Sequence, residues 1–278
     1  MSIGVHTNKS ALTALQNLNK TNDELAAVQG RVNTGLKISN AKDNAAIWAI
    51  AQGQRADIGA LGAVRMSLER ARSIAEVSMT AGETVSDLLV ELKQKVVAAM
   101  DTSLDTVSRT ALDNDFKAIL RQLSQVTSNA SFDGANLLNG SIGANIQFLA
   151  NAEATSRITL STQNMSLGGG IVTVAGTASI TTVSLATGIL TQLNNSLSLV
   201  NQALGNLGSQ GKQIEAHLNF VSKLTDVLET GVGNLVDADL AKESARLQAL
   251  QVQQQLGAQA LSIANQAPQI ILQLFRGG

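Results

Sequence analysis

Apolar residues recur with alternating three- and four-residue steps through a long stretch in the second half of the chain. This spacing puts them on one face of an α-helix, and its persistence is typical of a coiled coil or a long helical bundle. Gly211 and Thr225 are its only positions without a large apolar side chain. The members of this ladder are Leu190, Leu193, Leu197, Val200, Leu204, Leu207, Gly211, Ile214, Leu218, Val221, Thr225, Leu228, Val232 and Leu235.

Two other segments carry ladders that can pack against this one in a bundle made within a single chain. The first is unbroken and consists of Leu112, Phe116, Ile119, Leu123, Val126 and Ala130. The second is looser and consists of Ile47, Ala51, Ile58, Leu61, Leu68, Ala75, Met79, Leu89, Val96 and Met100. Polar residues such as Gln54 and Ser86 interrupt it. The three segments together predict a helical bundle.

The N-terminal segment predicts a separate helix with clear ends. Its ladder is Ala11, Leu15, Leu18, Leu25 and Val32, with Asn22 and Gln29 as polar interruptions. Asn8 is a suitable N-cap, because its side chain can accept a hydrogen bond from a free backbone N–H of the first turn. Gly35 is a suitable C-terminal stop, because glycine adopts the left-handed conformation there. Residues 39–43 then predict a short connector to the next helix.

The C-terminal segment is unusual because residues 247–275 include no charged side chain. Two ladders run along it. The Leu250 ladder consists of Leu250, Gln254, Gly257, Leu261, Ala264, Pro268, Ile271 and Phe275. The Val252 ladder consists of Val252, Leu256, Ala260, Ile263, Ala267, Ile270 and Leu274. Together they cover roughly half of the helix circumference, which is too wide for one partner surface.

This helix must therefore be covered by protein on more than one side. Its length would permit a membrane span. Its many glutamines, among them Gln253, Gln254 and Gln255, make lipid a poor solvent for it. Asp237 and Asp239 mark its start, since negative charge is stabilised at a helix N-terminus. If its own chain cannot cover it, other copies of the chain must do so.

Only residues 136–187 break the helical pattern, because they are rich in Gly, Ser, Thr and Asn. Short β-type runs occur at 142–149, 157–160, 171–174 and 180–185, and three glycines at 168–170 predict a turn. The predicted fold is mainly α: an elongated helical bundle or coiled coil formed by the N- and C-terminal segments, with a small β-hairpin region in the middle.

The composition argues against several classes of function. The chain has 278 residues, a formal net charge of −1 and no cysteine. Nucleic acid is not an expected partner, because phosphate binding needs clustered Lys and Arg. Disulfides and thiolate zinc sites are excluded. Aromatic residues are only 2% of the chain, whereas cores and recognition sites of ordinary enzymes use them heavily. No secretory signal or membrane-inserting segment is visible.

Candidates for chemistry are few. His6 and His217 are the only histidines, and without a matched cluster we interpret both as solvated positions. The glycines at 231 and 233 follow a helical ladder rather than a strand, so they do not predict a nucleotide loop. We predict no catalytic residue, no cofactor and no metal site. The terminal helices instead carry excess apolar surface, and the predicted polymerisation interface is Leu15, Leu18, Leu25, Val32, Leu250, Leu256, Leu261, Ile263, Ile270, Ile271, Leu274 and Phe275.

Motifs at both ends of the chain resemble those of one family, bacterial flagellin, in a short form with little or no outer variable domain. Near the N-terminus they are LQNLNK at 15–20 and TGLKISNAKDNAA at 34–46. Before the middle region they are FDG at 132–134 and LLNG at 137–140. Near the C-terminus they are DADL at 237–240 and ANQAPQ at 264–269. Asn44 and Ile47 depart from the family, which commonly has Asp and Gly there.

The resemblance implies a structural subunit, not an enzyme, that self-assembles into the extracellular flagellar filament for swimming motility. It implies residues 1–40 and 236–278 as the helices of an inner-tube domain. It also implies residues 41–187, with a β-hairpin region at about 136–187, and residues 188–235 as the two parts of a helical-bundle domain. The implied partners are other flagellin copies, the flagellar cap, hook-junction proteins and an export chaperone, and the implied route is flagellar type III export.

Two alternatives remain open from the sequence. A flagellar hook–filament junction protein shares related ends with the family. A signalling coiled-coil rod would also have long ladders, although the Gly-, Ser- and Thr-rich insert is misplaced for one. Electron microscopy of precipitated protein separates them, because long tubular filaments are expected of a flagellin alone.

Overall fold

The structure is a computed structural model that describes the backbone of residues 8–276 and the side chains of residues 8–266. Over this part the chain is mainly α with one small hairpin, which confirms the predicted fold class. The helices are α1 (Lys9–Thr34), α2 (Ala45–Ala99), α3 (Thr106–Asn129), α4 (Val183–Val236) and α5 (Leu240–Arg276). The strands are β1 (Ile146–Leu149) and β2 (Arg157–Leu160).

Both predicted ends of α1 are confirmed. The Asn8 side chain accepts a hydrogen bond from the backbone N–H of Ala11 at 3.1 Å. Gly35 has a φ of 70° and its N–H donates to the carbonyl of Arg31 at 2.9 Å. A left-handed residue of this kind closes the last turn and satisfies a carbonyl that the helix leaves free.

The connector after α1 is held by side-chain caps. The carboxylate of Asp43 accepts hydrogen bonds from the backbone N–H groups of Ser39 and Asn40 and from the Ser39 hydroxyl, and these bonds lower the pKa of Asp43. Asn44 then accepts from the N–H groups of Ala46 and Ile47, both at 3.1 Å. Asparagine caps helices about as well as aspartate. The departure at Asn44 therefore preserves the start of α2.

The chain divides into two compact units. Unit 1 consists of Met1–Ala56 and Val227–Gly278, and unit 2 consists of Asp57–Asp226. Helices α2 and α4 each contribute residues to both units. The division predicted from the sequence, at residues 40 and 236, remains a prediction.

Unit 2 has a continuous apolar core along its helices. Every position of the α4 ladder from 190 to 225 is buried or half-buried, and so is every position of the α3 ladder. The largest wholly buried side chains include Leu68, Ile74, Leu89, Leu92, Phe116, Leu120 and Leu123. The heptad spacing therefore identified the core faces of these helices correctly.

The middle region differs from the prediction in three places. The first is that β1 begins at Ile146, so residues 142–145 of the predicted run form no strand. Strands β1 and β2 pair antiparallel, with Ile146 opposite Leu160. Residues 171–174 form no strand, because their backbone bonds to a side chain and a turn: Thr173 N–H donates to Ser196 Oγ, and Gly168 N–H donates to the Val174 carbonyl. The run at 180–185 is wrong as a strand because α4 begins within it. This region also supplies wholly buried side chains to unit 2, namely Leu137, Leu138, Leu160, Met165, Val172, Val174 and Ile180.

Candidate assembly surface on the terminal helices

In unit 1, α1 and α5 lie side by side and run antiparallel. Their shared end is closed by backbone hydrogen bonds: Lys37 N–H donates to the Val236 carbonyl at 2.7 Å, and Ala238 N–H donates to the Gly35 carbonyl at 2.8 Å. Asp239 accepts from two backbone N–H groups in the first turn of α5, as its predicted helix-start role requires. Asp237 instead forms a β-bridge with Leu36.

A small apolar cluster joins the two helices near this closed end. Leu25 and Val28 of α1 and Leu250 of α5 are buried together, and Val32 and Leu247 are partly buried against them. Two ion pairs flank the cluster, Arg31 with Glu243 and Glu24 with Arg246. The predicted pairing of the terminal helices with each other is therefore confirmed.

Farther from the closed end, the contacts between the helices become polar or small. The Gln254 amide donates to Asn22 Oδ1 at 2.8 Å. Leu18 Cδ1 lies 3.2 Å from the point where a Cβ would stand on Gly257, so a glycine accommodates this leucine. The Asn8 amide donates to the Ala264 carbonyl at 2.7 Å. All of the α5 residues in these contacts belong to the Leu250 ladder.

The Val252 ladder lies beside the face of α5 that α1 covers. Val252, Leu256 and Ile263 are 55%, 58% and 69% exposed. On α1, Leu12 and Leu15 are also exposed large apolar residues. Unit 1 therefore displays an apolar surface that nothing in the chain covers among the described residues.

A groove of about 740 Å³ adjoins this surface. Its walls combine small and polar residues of α1 with residues of both α5 ladders. They are Lys9, Ser10, Thr13, Ala14, Asn17, Leu256, Gly257, Ala260 and Ala264. The groove is wide enough for side chains of another molecule to enter beside Leu256.

The structure divides the predicted interface residues into groups that the sequence did not separate. Leu25 and Leu250 are buried between α1 and α5, and Leu18, Val32 and Leu261 are half-buried. Leu15, Leu256 and Ile263 are exposed. The side chains of Ile270, Ile271, Leu274 and Phe275 lie outside the described residues. The predicted interface residues differ in whether the partner helix buries them. That difference depends on which face of α5 is covered by α1, which the sequence pattern does not show.

Other functional chemistry is sparse in the part of the chain that the structure describes. No group of three or more His, Asp or Glu there could hold a metal ion. No described helix is both long and apolar enough to cross a membrane. The interpretation of His217 as a solvated position is wrong, because its Nε2 atom lies 2.6 Å from the Ala150 carbonyl oxygen and attaches α4 to the end of β1. His6 lies outside the described residues.

Comparison with known proteins connects this geometry to one family. The family model of the bacterial flagellin N-terminal helical region matches residues 5–142, and the model of the bacterial flagellin C-terminal helical region matches residues 188–275. The chain is 58% identical to Flagellin FljJ of Caulobacter vibrioides, with 100% of each chain covered. It is 48% identical to Flagellin FljM of the same organism and 40% identical to a flagellin of Brucella melitensis, with 98% of each chain covered in both cases.

Proposed function

Because this chain belongs to the bacterial flagellin family, we propose that it meets other copies of itself through the Val252 ladder. The chain is a structural subunit that self-assembles into the flagellar filament, the helical propeller for swimming motility. The observation that carries the interface proposal is the exposure of Val252, Leu256 and Ile263 on a helix that has no charge from 247 to 275. A large exposed apolar patch on a protein marks an interaction site.

Burial of this surface favours assembly. Covering one Val, Leu or Ile side chain contributes roughly 1.5–3 kcal/mol. Several such side chains on each subunit add up, and this gain offsets part of the entropy that association costs. The absence of charged side chains from 247 to 275 also favours assembly, because an unpaired charge buried between copies would cost several kcal/mol.

The predicted interface residues then have two roles. We assign Leu15, Leu256 and Ile263 to contacts between copies. Leu18, Leu25, Val32 and Leu250 hold α1 and α5 together and so present those contacts. We assign Leu261, which is half-buried on the same ladder as Leu250, to the same role. Ile270, Ile271, Leu274 and Phe275 continue the same two ladders toward the C-terminus, and we keep them as interface residues. Residues 1–40 and 236–278 form the inner-tube domain in this proposal, and 41–187 with 188–235 form the bundle domain.

A charge on the Val252 ladder tests the interface. Ile263→Asp would place a carboxylate between copies, so the critical concentration for filament growth should rise by about tenfold or more, which corresponds to about 1.4 kcal/mol. The control is Ser262→Asp, which adds the same charge to the neighbouring exposed residue, about 100° away around the helix. Sedimentation of filaments at a series of protein concentrations gives both values.

The two variants separate an interface effect from a general charge effect. We expect Ser262→Asp to assemble within about threefold of the unmodified chain, less than the factor of ten that 1.4 kcal/mol gives. Normal assembly of Ile263→Asp would show that the Val252 ladder is not the contact surface, even though the chain builds filaments.

We also propose the accessory partners and the route. The family role supports contacts with the flagellar cap, hook-junction proteins and an export chaperone, secretion through the flagellar type III pathway, and the absence of any enzymatic activity. Deletion of the export apparatus should leave the chain inside the cell. Secretion of the chain from such a strain would contradict the proposed route.

A further inference from the structure

Helix α5 has two apolar faces, and α1 covers only one of them. Among the described residues, the Val252 ladder contains Val252, Leu256, Ala260 and Ile263, whereas the Leu250 ladder contains Gln254 and Gly257 between its leucines. Burial of apolar area stabilises a contact in proportion to the area. That term does not decide between the faces, because the covered face also carries Leu247, Leu250 and Leu261. Another interaction must therefore select the observed face.

The amide pair is one such interaction. Asn22 interrupts the apolar ladder of α1, Gln254 interrupts the Leu250 ladder, and the two side chains meet at 2.8 Å. If α5 turned its Val252 ladder toward α1, the Asn22 amide would face apolar side chains and Gln254 would lose its partner. In the single chain water can replace the lost hydrogen bond, but where other copies exclude water an unpaired amide is destabilising.

Side-chain size selects the same face. Leu18 lies against Gly257, with its Cδ1 atom 3.2 Å from the position of a Cβ on that residue. If α5 rotated about its own axis so that the Val252 ladder faced α1, Leu256 would lie opposite Leu18 in place of Gly257. The two leucines would then compete for the space that the glycine leaves open. Overpacking of this kind is destabilising.

We propose that Asn22 and Gln254, assisted by Leu18 and Gly257, are the specificity-determining residues that choose which face of α5 its own chain covers. Their effect is to keep the Val252 ladder free for other copies. Polar residues in an apolar seam specify pairing in this way, at a cost in stability. The pair is solvent-exposed in the single chain. Its influence grows when other copies exclude water from it. The inference rests on the proposed function only in assigning the free face to other copies.

Disulfide reporters can measure the choice of face, because the chain has no cysteine of its own. The Leu18 Cβ atom lies 3.9 Å from the Cβ position on Gly257. A disulfide joins Cβ atoms about 3.5–4.5 Å apart. Leu18→Cys with Gly257→Cys therefore reports the observed face. Because the reporters replace Leu18 or Gly257 in every background, they measure the contribution of the amide pair alone. Leu18→Cys with Leu256→Cys reports the turned helix, since residue 256 lies about 100° from residue 257.

The experiment places each cysteine pair in the full-length chain, with and without Asn22→Leu and Gln254→Leu. Each chain is mixed with an excess of unmodified chain, assembled, and oxidised. Non-reducing electrophoresis of pellet and supernatant separates an intrachain loop from an interchain dimer. The control background is Asn19→Leu with Gln251→Leu, which makes the same residue changes at exposed positions on the same two helices.

We expect the 18–257 disulfide to dominate in the parent and in the control. In the Asn22→Leu, Gln254→Leu background the ratio of 18–257 to 18–256 disulfide should fall by about tenfold, and the critical concentration should rise although two amides have become leucines. A tenfold change corresponds to about 1.4 kcal/mol, within the cost of an unpaired amide.

Two results would overturn the inference. One is an unchanged ratio and critical concentration after the amides are replaced, whether the chain is read in the pellet or in the supernatant. The other is preferential 18–256 closure in the parent. Both are independent of the Ile263→Asp result, which tests only whether other copies occupy the Val252 ladder.

Discussion

Asp113 of α3 holds the segment that leads into α4. Its carboxylate, in a residue that is 2% exposed, accepts hydrogen bonds from the Ser179 hydroxyl at 2.8 Å and the Ile180 N–H at 2.7 Å, and it pairs with Lys117 at 2.7 Å. Burial raises the pKa of Asp113, but the hydrogen bonds from Lys117, Ile180 and Ser179 together outweigh it and leave the pKa below its ordinary value. The charged form therefore stabilises the turn that leads into α4.

This arrangement predicts a pH-dependent contribution of Asp113 to the stability of unit 2. Because the folded pKa is lower than the unfolded one, the contribution is full above the unfolded value of about 3.9 and is lost as the pH falls through the folded pKa. Asp113→Asn should lower the thermal midpoint of the depolymerised chain at pH 7. The difference from the unmodified chain should shrink as the pH falls below 4.

The matched control for this prediction is Asp115→Asn. The Asp115 side chain is 59% exposed and its ion pair with Lys95 lies at the surface, where such pairs contribute about 0–1 kcal/mol. Its thermal midpoint should stay close to that of the unmodified chain. A difference between Asp113→Asn and the unmodified chain that stays constant from pH 7 to pH 3 would contradict the assigned role of the carboxylate.

At this scale the sequence predicted residues whose partners are close in the chain. Asn8, Gly35 and Asp239 were identifiable because a helix cap is a local interaction. The pairing of Asn22 with Gln254 was not, because 232 positions separate the two residues. The Asn22 interruption was visible as a polar residue in an apolar ladder, but nothing in the pattern indicated which residue it meets.

At the scale of elements, long periodic segments were predicted well and short apolar runs were not. The α4 ladder repeats so often that its spacing determines both the helix and its buried face. The runs at 171–174 and 180–185 are too short to distinguish a strand from a buried loop or a helix start. Their side chains pack as apolar residues in either case, which is why Val172 and Ile180 are wholly buried without strand pairing.

The terminal helices show what periodicity cannot decide. The two ladders of α5 correctly indicated a helix with two apolar faces, and coverage of the second face remains a prediction. They did not indicate that α1 takes the Leu250 ladder, because that choice depends on an amide pair and a glycine rather than on apolar area. The division of Leu250 from Ile263 into two environments therefore needed the structure.

At the scale of the whole molecule, the two units differ in how much of their apolar surface they bury within the chain. Unit 2 buries its ladders within the chain. Unit 1 buries only a small cluster around Leu25 and Leu250 and leaves Leu256 and Ile263 exposed. We propose that other copies cover these residues, so that the core of unit 1 is completed in the filament.

Solvent access to position 263 tests the central claim most directly. Ile263→Cys gives a chain with a single thiol, and a maleimide reagent can label it in assembled filaments and in the depolymerised chain. If other copies cover the Val252 ladder, labelling in the filament should be slower by about tenfold or more, in line with a contact that contributes at least about 1.4 kcal/mol. Equal labelling rates in filaments that are otherwise normal would contradict the account.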